Sequence, residues 1–279
     1  MLHKESVVIS GYAVSVAGEN KSQPAWYSAV ESLPRKYQRF GGRSAAEAVA
    51  ACRDALNMAE IHPETMGERF GLYTSQAGFQ HSDLDDYSQA FASISNNETL
   101  YDELWNSKMI DPFQAIRGLS NNLMGLISGL WSMRGDCSAF VRDEAGAASA
   151  LHEAHFNLKS GLIDAALVVM SGTTTDCIEM AMTKADMKQT GSGAVALVLQ
   201  RKNGNSPLGA PCELNAVSVR YAFPVEVEGE STTSPRWGGV LFDIAHLLAE
   251  DALTCPEGAL SLCHQDCYGH QITATLTRR

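Results

Sequence analysis

Residues 134–172, RGDCSAFVRDEAGAASALHEAHFNLKSGLIDAALVVMSG, carry the clearest structural pattern of the chain. The apolar run Cys137–Val141 is typical of a buried strand. Asp143 and Glu144 follow after Arg142. Carboxylates favour a helix start because they lie beside its free N–H groups. Residues 162–170 are almost continuously apolar, as in a strand covered on both faces. The stretch therefore predicts a strand, a tight turn, a helix and a second strand.

The predicted helix of this unit has one apolar face and a defined end. Gly161 follows Lys159 and Ser160, where a residue of left-handed conformation can terminate a helix. Small and apolar residues recur every three or four positions, which predicts a single buried face: Ala145, Ala148, Leu151, Ala154 and Leu158. His152 and His155 are three residues apart rather than the four of a zinc-protease helix, so we expect them on the outer face.

Length and charge restrict the possible classes of protein. The chain has 279 residues, 45% of them hydrophobic, which is enough for a large core in one domain or two fused halves. It carries 21 basic and 32 acidic residues and a formal net charge of −11. Nucleic acids and anionic membranes attract cationic surfaces, so we expect neither as a partner.

The sequence predicts a cytoplasmic protein. A strand-like segment at residues 7–9 follows the first residues directly, with no signal peptide and no apolar run of membrane-spanning length. The seven cysteines are an odd number spread along the chain, which is typical of reduced thiols rather than a disulfide framework.

The rest of the chain alternates predicted strands and helices without a visible sequence repeat. Strands are predicted at residues 7–14, 71–75, 191–199, 213–220, 259–263 and 272–277, and helices at residues 48–59 and 240–252. Gly125 and Gly129 lie one helical turn apart and predict a seam where another element packs closely. Cys263, His264, Cys267 and His270 are close enough to hold a metal, but no second ligand pair supports a zinc site, so we expect no metal.

The turn at residues 142–146 resembles the nucleophile elbow of the β-ketoacyl synthases. Four further segments resemble the same family: residues 7–14, residues 111–135, which begin Asp-Pro-Phe and end at Gly135, residues 191–199 and residues 269–271. When Gly135 is aligned with the family glycine, Glu144 takes the position of the catalytic cysteine. The resemblance implies a thiolase-like αβαβα layered fold. It divides the chain into a ketosynthase-like half, residues 1–202, and a strongly shortened C-terminal half, residues 203–279, within one compact domain.

The same resemblance implies that ketosynthase chemistry is lost. A carboxylate at position 144 is a poor nucleophile for acyl transfer from a thioester. The family's H-G-T-x-T motif is absent, and Pro235 and Gly239 fall where its K-S-x-x-G-H motif has lysine and histidine. Cys137 lies on the strand before the turn, away from the helix N-terminus that would activate it, and we interpret it as a packing residue. Glu144 either supplies a charge to the vacated pocket or is an ordinary first-turn acid.

Non-catalytic members of this family, the chain-length factors, pair with an active ketosynthase. For this chain they imply a heterodimer with an active ketosynthase, an indirect relation to acyl carrier protein, no cofactor and no catalysis by the chain alone. The implied interface strand comprises Cys137, Ser138, Ala139, Phe140 and Val141. The implied end of the acyl tunnel comprises Phe113, Gln114 and Ile116. The small size resembles the subunits of aryl polyene pathways of type II polyketide or fatty-acid character.

Two other functions remain open at this point. A residual acyl-thioester decarboxylase or hydrolase could use Glu144 as a base, because a carboxylate in an apolar pocket can have a raised pKa. A homodimeric acyl-binding protein is the other.

Overall fold

A computed structural model describes residues 6–16, 33–38, 41, 44–77, 116, 119–141, 143–173, 192–202, 212–220, 239–249, 259–265 and 270–278. Strands and helices are numbered here among these residues alone. The strands are β1 (Val7–Val16), β2 (Phe70–Ala77), β3 (Cys137–Val141), β4 (Ala165–Thr173), β5 (Ser192–Arg201), β6 (Cys212–Arg220), β7 (Ala259–Gln265) and β8 (Gln271–Arg278). The helices are α1 (Arg35–Gln38), α2 (Ala45–Met58), α3 (Pro63–Met66), α4 (Asn122–Leu130), α5 (Asp143–Lys159) and α6 (Gly239–Ala249), with a 3-10 turn at Gly67–Arg69.

The predicted strand–turn–helix–strand unit is confirmed as β3, α5 and β4. The end of α5 is a Schellman motif, in which Leu162 N–H donates to the Asn157 carbonyl at 3.0 Å and Gly161 N–H to the Leu158 carbonyl at 3.1 Å. Gly161 has φ of 74°, a conformation that costs glycine little because it has no Cβ.

The described strands form one sheet in the order β3-β2-β4-β5-β1-β6-β8-β7. β2 pairs in parallel with both β3 and β4, whereas the other pairs are antiparallel. The carboxyl ends of β2, β3 and β4 therefore lie at the same edge of the sheet, and α5 starts there. β1 pairs with β5 along its whole length but with β6 only through Val7–Ile9, so the sheet divides into two parts at β1.

The two parts of the sheet repeat one topology. In the first part α5 precedes β4, and β5 returns antiparallel between β4 and β1. In the second part α6 precedes β7, and β8 returns antiparallel between β7 and β6. The first part continues beyond β4 to β2 and β3, whereas the described residues of the second part end at β7. The predicted shortening of the C-terminal half is confirmed in this form.

Helix α5 is buried more widely than its predicted single face. Ala147 and Ala150 are as fully buried as the predicted Ala145, Ala148 and Leu151. The reason is that α5 packs against β2 and β4 of the first part and also against β6 and α6 of the second. Small side chains allow this close approach from several directions, and α5 is the centre of the largest core cluster.

The expectation that His155 lies on an outer face is wrong. Its side chain is 8% exposed, and Nε2 lies 3.1 Å from the Leu214 carbonyl oxygen of β6. Burial, aided by the positive charge of Lys159, lowers the pKa of His155 to about 4. The ring is therefore neutral at pH 7 and its Nε2–H can donate to Leu214. His152, one turn earlier, is exposed as expected.

Gly125 and Gly129, for which the sequence predicts close packing, differ in their surroundings. Tyr37 packs against Gly129, where an added Cβ would lie 3.0 Å from the ring, and its hydroxyl donates to the Gly129 carbonyl at 2.7 Å. An added Cβ at Gly125 would meet no described atom within 4 Å. Among the described residues, close packing is therefore seen at Gly129 and not at Gly125.

Among the described helices, none is both long and apolar enough to cross a lipid bilayer.

Candidate functional site

Glu144 lies in the first turn of α5, at the elbow that follows β3. Helix α5 begins at Asp143, two residues after the last residue of β3. The structure thus places the backbone of residue 144 at the carboxyl ends of the three parallel strands, and it confirms the predicted helix start after β3. The side chains of Val141 and Glu144 lie outside the described part of the structure.

Buried hydroxyl groups line the same edge of the sheet, and the sequence analysis missed them. Thr74 and Ser75, near the end of β2, are each 1% exposed, and Ser171 of β4 is fully buried. Ser44, at the start of α2, donates from Oγ to Ser171 Oγ at 3.1 Å, while Glu47 in the first turn of α2 is also buried. The signal in the sequence was the S-x-x-E pattern of Ser44 and Glu47, which marks a helix start but not its burial.

These hydroxyls lie on both faces of the sheet. Ser171 contacts Ser44 and so faces α2, and Thr74 lies on the same face because it alternates with Tyr73. Ser75 shares the face of Tyr73, which belongs to the core cluster around α5. Hydroxyls can orient a bound polar group but cannot replace a thiolate in acyl transfer.

Cys137 lies at the opposite end of β3 from the elbow. Its Sγ lies 3.4 Å from the Gly135 carbonyl oxygen. Burial raises the pKa of the Cys137 thiol, and the negative charge of Asp136 raises it further. The thiol therefore stays protonated at neutral pH, which is the opposite of what an activated nucleophile requires.

Strand β3 is an edge strand of the described sheet. Its register with β2 runs from Leu72 opposite Cys137 to Gln76 opposite Val141. The four residues Cys137, Ser138, Ala139 and Phe140 are each half-buried. The strand has no charged residue and no proline, the usual devices that block edge pairing. Among the described strands, its outer edge has no partner.

A hydrogen-bond network fixes the start of β3. The buried Tyr73 hydroxyl donates to Asp136 Oδ2 at 2.7 Å, and Asn157 Nδ2 donates to both, at 2.8 Å and 3.0 Å. An added Cβ at Gly135 would overlap the Phe70 carbonyl oxygen, so only glycine fits there without a shift. β3 is therefore held against β2 and the last turns of α5. No local pattern of residues indicates this network.

The other predicted site residues are described only in part. Phe113 and Gln114 lie outside the described residues, and Ile116 is half-buried. Cys263 is exposed, with Sγ 4.0 Å from Thr273 Oγ1, while Cys267 and the side chain of His264 lie outside the described part. Within the described ranges no three His, Cys, Asp or Glu side chains come together as metal ligands.

Comparison with known proteins gives structural matches and no sequence matches. No family model and no curated protein matches the chain. A ketosynthase complex of a type II polyketide synthase, solved with its acyl-carrier protein and bound to the hexaketide, matches with a TM-score of 0.71 at 15% identity, over 99% of this chain and 100% of that one. The chain has the ketosynthase fold.

Two other ketosynthase structures match over similar spans. The ishigamide ketosynthase/chain length factor has a TM-score of 0.68 at 12% identity, covering 98% of this chain and 99% of that one. A β-ketoacyl synthase from Burkholderia phymatum has a TM-score of 0.67 at 13% identity, covering 99% and 100%. These likenesses confirm the predicted thiolase-like ketosynthase fold. The assignment of Glu144 to the nucleophile position remains a prediction from the sequence.

Proposed function

We propose that the chain is a catalytically silent ketosynthase-like subunit that pairs with an active β-ketoacyl-acyl carrier protein synthase through strand β3. In this role it stabilises its partner and helps to bound the cavity in which an acyl or polyene chain grows. The proposed pathway is of type II polyketide or fatty-acid-like character, and the small size favours the aryl polyene type.

The proposal rests on two features that adjoin in the chain, the turn that contains Glu144 and the edge strand β3 before it. The elbow has Glu144 at the position where the resemblance places the nucleophile, and the strand leading into it is an uncharged edge strand. Strand pairing needs backbone N–H and C=O groups and no thiolate, so an interface role survives the loss of the cysteine.

The neighbours in structure support the same assignment at a coarser level. One of them is a ketosynthase/chain length factor, and another is a ketosynthase in complex with its acyl-carrier protein. With a net charge of −11, this chain is a poor dock for an acidic carrier protein, because like charges repel. We therefore assign carrier-protein docking to the partner and the cavity wall to this chain.

The test is mild affinity purification of this chain from its native host, which should capture an active ketosynthase, followed by native mass spectrometry. We expect a complex with equal numbers of the two chains. Ser138→Lys places a charge in the middle of β3 and should abolish it, whereas Ser218→Lys on the exposed face of β6 should leave it intact. A ketosynthase that remains alone, or that is stable and fully active without this chain, would contradict the proposal.

Residual thioester chemistry is the competing function, favoured by the place of residue 144 in the first turn of a central helix. A base there would decarboxylate or hydrolyse a malonyl thioester. Turnover of malonyl-acyl carrier protein by the purified chain, lost in Glu144→Gln, would establish it. Turnover unchanged by that substitution would remove Glu144 from the chemistry. A homodimer that copurifies with lipid would instead support the acyl-binding function.

A further inference from the structure

Among the described strands, the topological repeat leaves β7 with an open edge. β7 is the counterpart of β4, since each follows a central helix and pairs antiparallel with the next strand. β4 has strands on both sides, β5 and β2. In the part of the chain that the structure describes, β7 has a neighbour on one side only, β8. The second edge of β7 therefore has the pairing capacity that β2 satisfies in the first part.

The sequence of β7, ALSLCHQ, does not protect this edge. None of its seven residues carries a formal charge with histidine neutral, and none is proline. Its residues alternate: Ala259, Ser261 and Cys263 are exposed, while Leu260 and Leu262 are half-buried against the core around α5. Natural proteins usually place lysine, proline or a bulge on an edge strand to prevent pairing.

We propose that β7 pairs antiparallel with β7 of a second copy of this chain, with the two Leu262 residues opposite each other at a two-fold axis. Antiparallel pairing of one strand with itself is isologous and closes at two copies. With Leu262 at the axis, all seven residues find a partner. Leu260 of one copy then lies diagonal to Leu262 of the other, which extends the apolar inner face across the junction.

Charge favours this edge over the rest of the surface for self-association. Each copy carries a net charge of −11, so most contacts between copies are repulsive. Pairing of Ala259–Gln265 with itself places no formally charged residue of that strand opposite another. β7 also lies at the far end of the sheet from β3, so the two edges can be occupied at the same time.

The first experiment compares two lysine substitutions in the same row of the sheet. Ser261 on β7 is opposite Thr275 on β8, and both lie on the outer face. We expect native mass spectrometry and sedimentation of the purified chain at micromolar concentration to give two copies per particle. Ser261→Lys should yield one copy, because two positive charges then face the junction. Thr275→Lys, one strand inward, should retain two copies. A wild-type particle with one copy, or equal behaviour of the two variants, would overturn the proposal.

A second experiment reports the register directly. Pairing about Leu262 places Ser261 of one copy opposite Cys263 of the other. Ser261→Cys should form a reducible dimer under mild oxidation, and the dimer should disappear when Cys263→Ser is added. If cross-linking persists without Cys263, or never occurs although the chain is folded by circular dichroism, the proposed pairing is wrong.

Self-pairing through β7 can be tested separately from the ketosynthase pairing proposed for β3. Ser138→Lys should release the ketosynthase and leave the two-copy particle of this chain intact. Ser261→Lys should halve the assembly and leave each ketosynthase bound. Loss of both contacts in Ser261→Lys would overturn self-pairing through β7 and assign that edge to the ketosynthase instead.

Discussion

The two parts of the sheet differ in how many of their faces are covered. Residues 165–172 of β4 are buried without interruption, because α2 packs on one face and α5 on the other. β8 alternates instead: Ile272, Ala274 and Leu276 are fully buried, and the threonines between them are half-exposed. The outer face of β6, β8 and β7 is thus polar and uncovered by the described elements. A fold can lose an outer layer where its strands already alternate between apolar and polar residues.

Carboxylates placed on the outer faces of the two parts should give the largest contrast in the free energy of unfolding. Val169 of β4 is fully buried toward α2, so Val169→Asp buries an unpaired charge and should cost more than about 4 kcal/mol or prevent folding. Thr275→Asp on the outer face should change the free energy of unfolding by less than about 0.5 kcal/mol. Denaturant titration measures both. An equal cost would show that the second part of the sheet is covered on its outer face as well.

A methyl group at Gly135 should weaken the first part specifically. Gly135→Ala drives a Cβ into the Phe70 carbonyl at the start of β2, and we expect a loss of about 3 kcal/mol. Gly125→Ala is the matched control. It lies in an exposed helical turn with open space around it, so it should gain about 0.5–1 kcal/mol. Thermal unfolding compares the two; a tolerated Gly135→Ala would mean that β2 and β3 can separate there at little cost.

Acid should loosen the contact between the two parts at His155. The folded pKa, about 4, is below the ordinary value of 6.5, so between these pH values the unfolded chain binds more protons. Stability from this group is complete above pH 6.5 and falls as the pH decreases, by about 2 kcal/mol at pH 5. His155→Gln keeps an N–H donor toward Leu214 and should lose less stability between pH 7.5 and pH 5. An identical pH profile for both proteins would exclude His155 as the cause.

Removing one hydroxyl from the base of β3 should have the smallest effect. Tyr73→Phe leaves Asn157 bonded to Asp136 and should cost about 1 kcal/mol. If β3 is the interface strand, the affinity for the ketosynthase should fall by more than the stability loss explains. Isothermal titration of the folded variant measures this. Unchanged affinity would separate the network from partner binding.

The sequence predicted the parts of the fold that depend on local pattern. β3, α5 and β4 were recognisable because an apolar run, a helical repeat and Gly161 are encoded in consecutive residues. The burial of His155 was not predictable, because its partner Leu214 lies 59 residues away in the sequence. The hydrogen-bond network of Tyr73 was hidden for the same reason, since Asp136 and Asn157 lie 63 and 84 residues from it. The topological repeat was hidden for a similar reason. Strand pairing requires only compatible alternation of side chains, so β4 and β7 can be equivalent without similar sequences.

The pairing of β1 sets a time scale for folding during synthesis. Val7 is opposite Arg201 in the antiparallel register of β1 and β5, so the first described strand cannot reach its main partner until Arg201 has left the ribosome. At roughly 5–20 residues per second, that interval is on the order of ten to forty seconds. During this time the apolar residues of β1 have no sheet to join. The nascent chain is therefore a natural client for chaperones that hold exposed strands until the sheet can close.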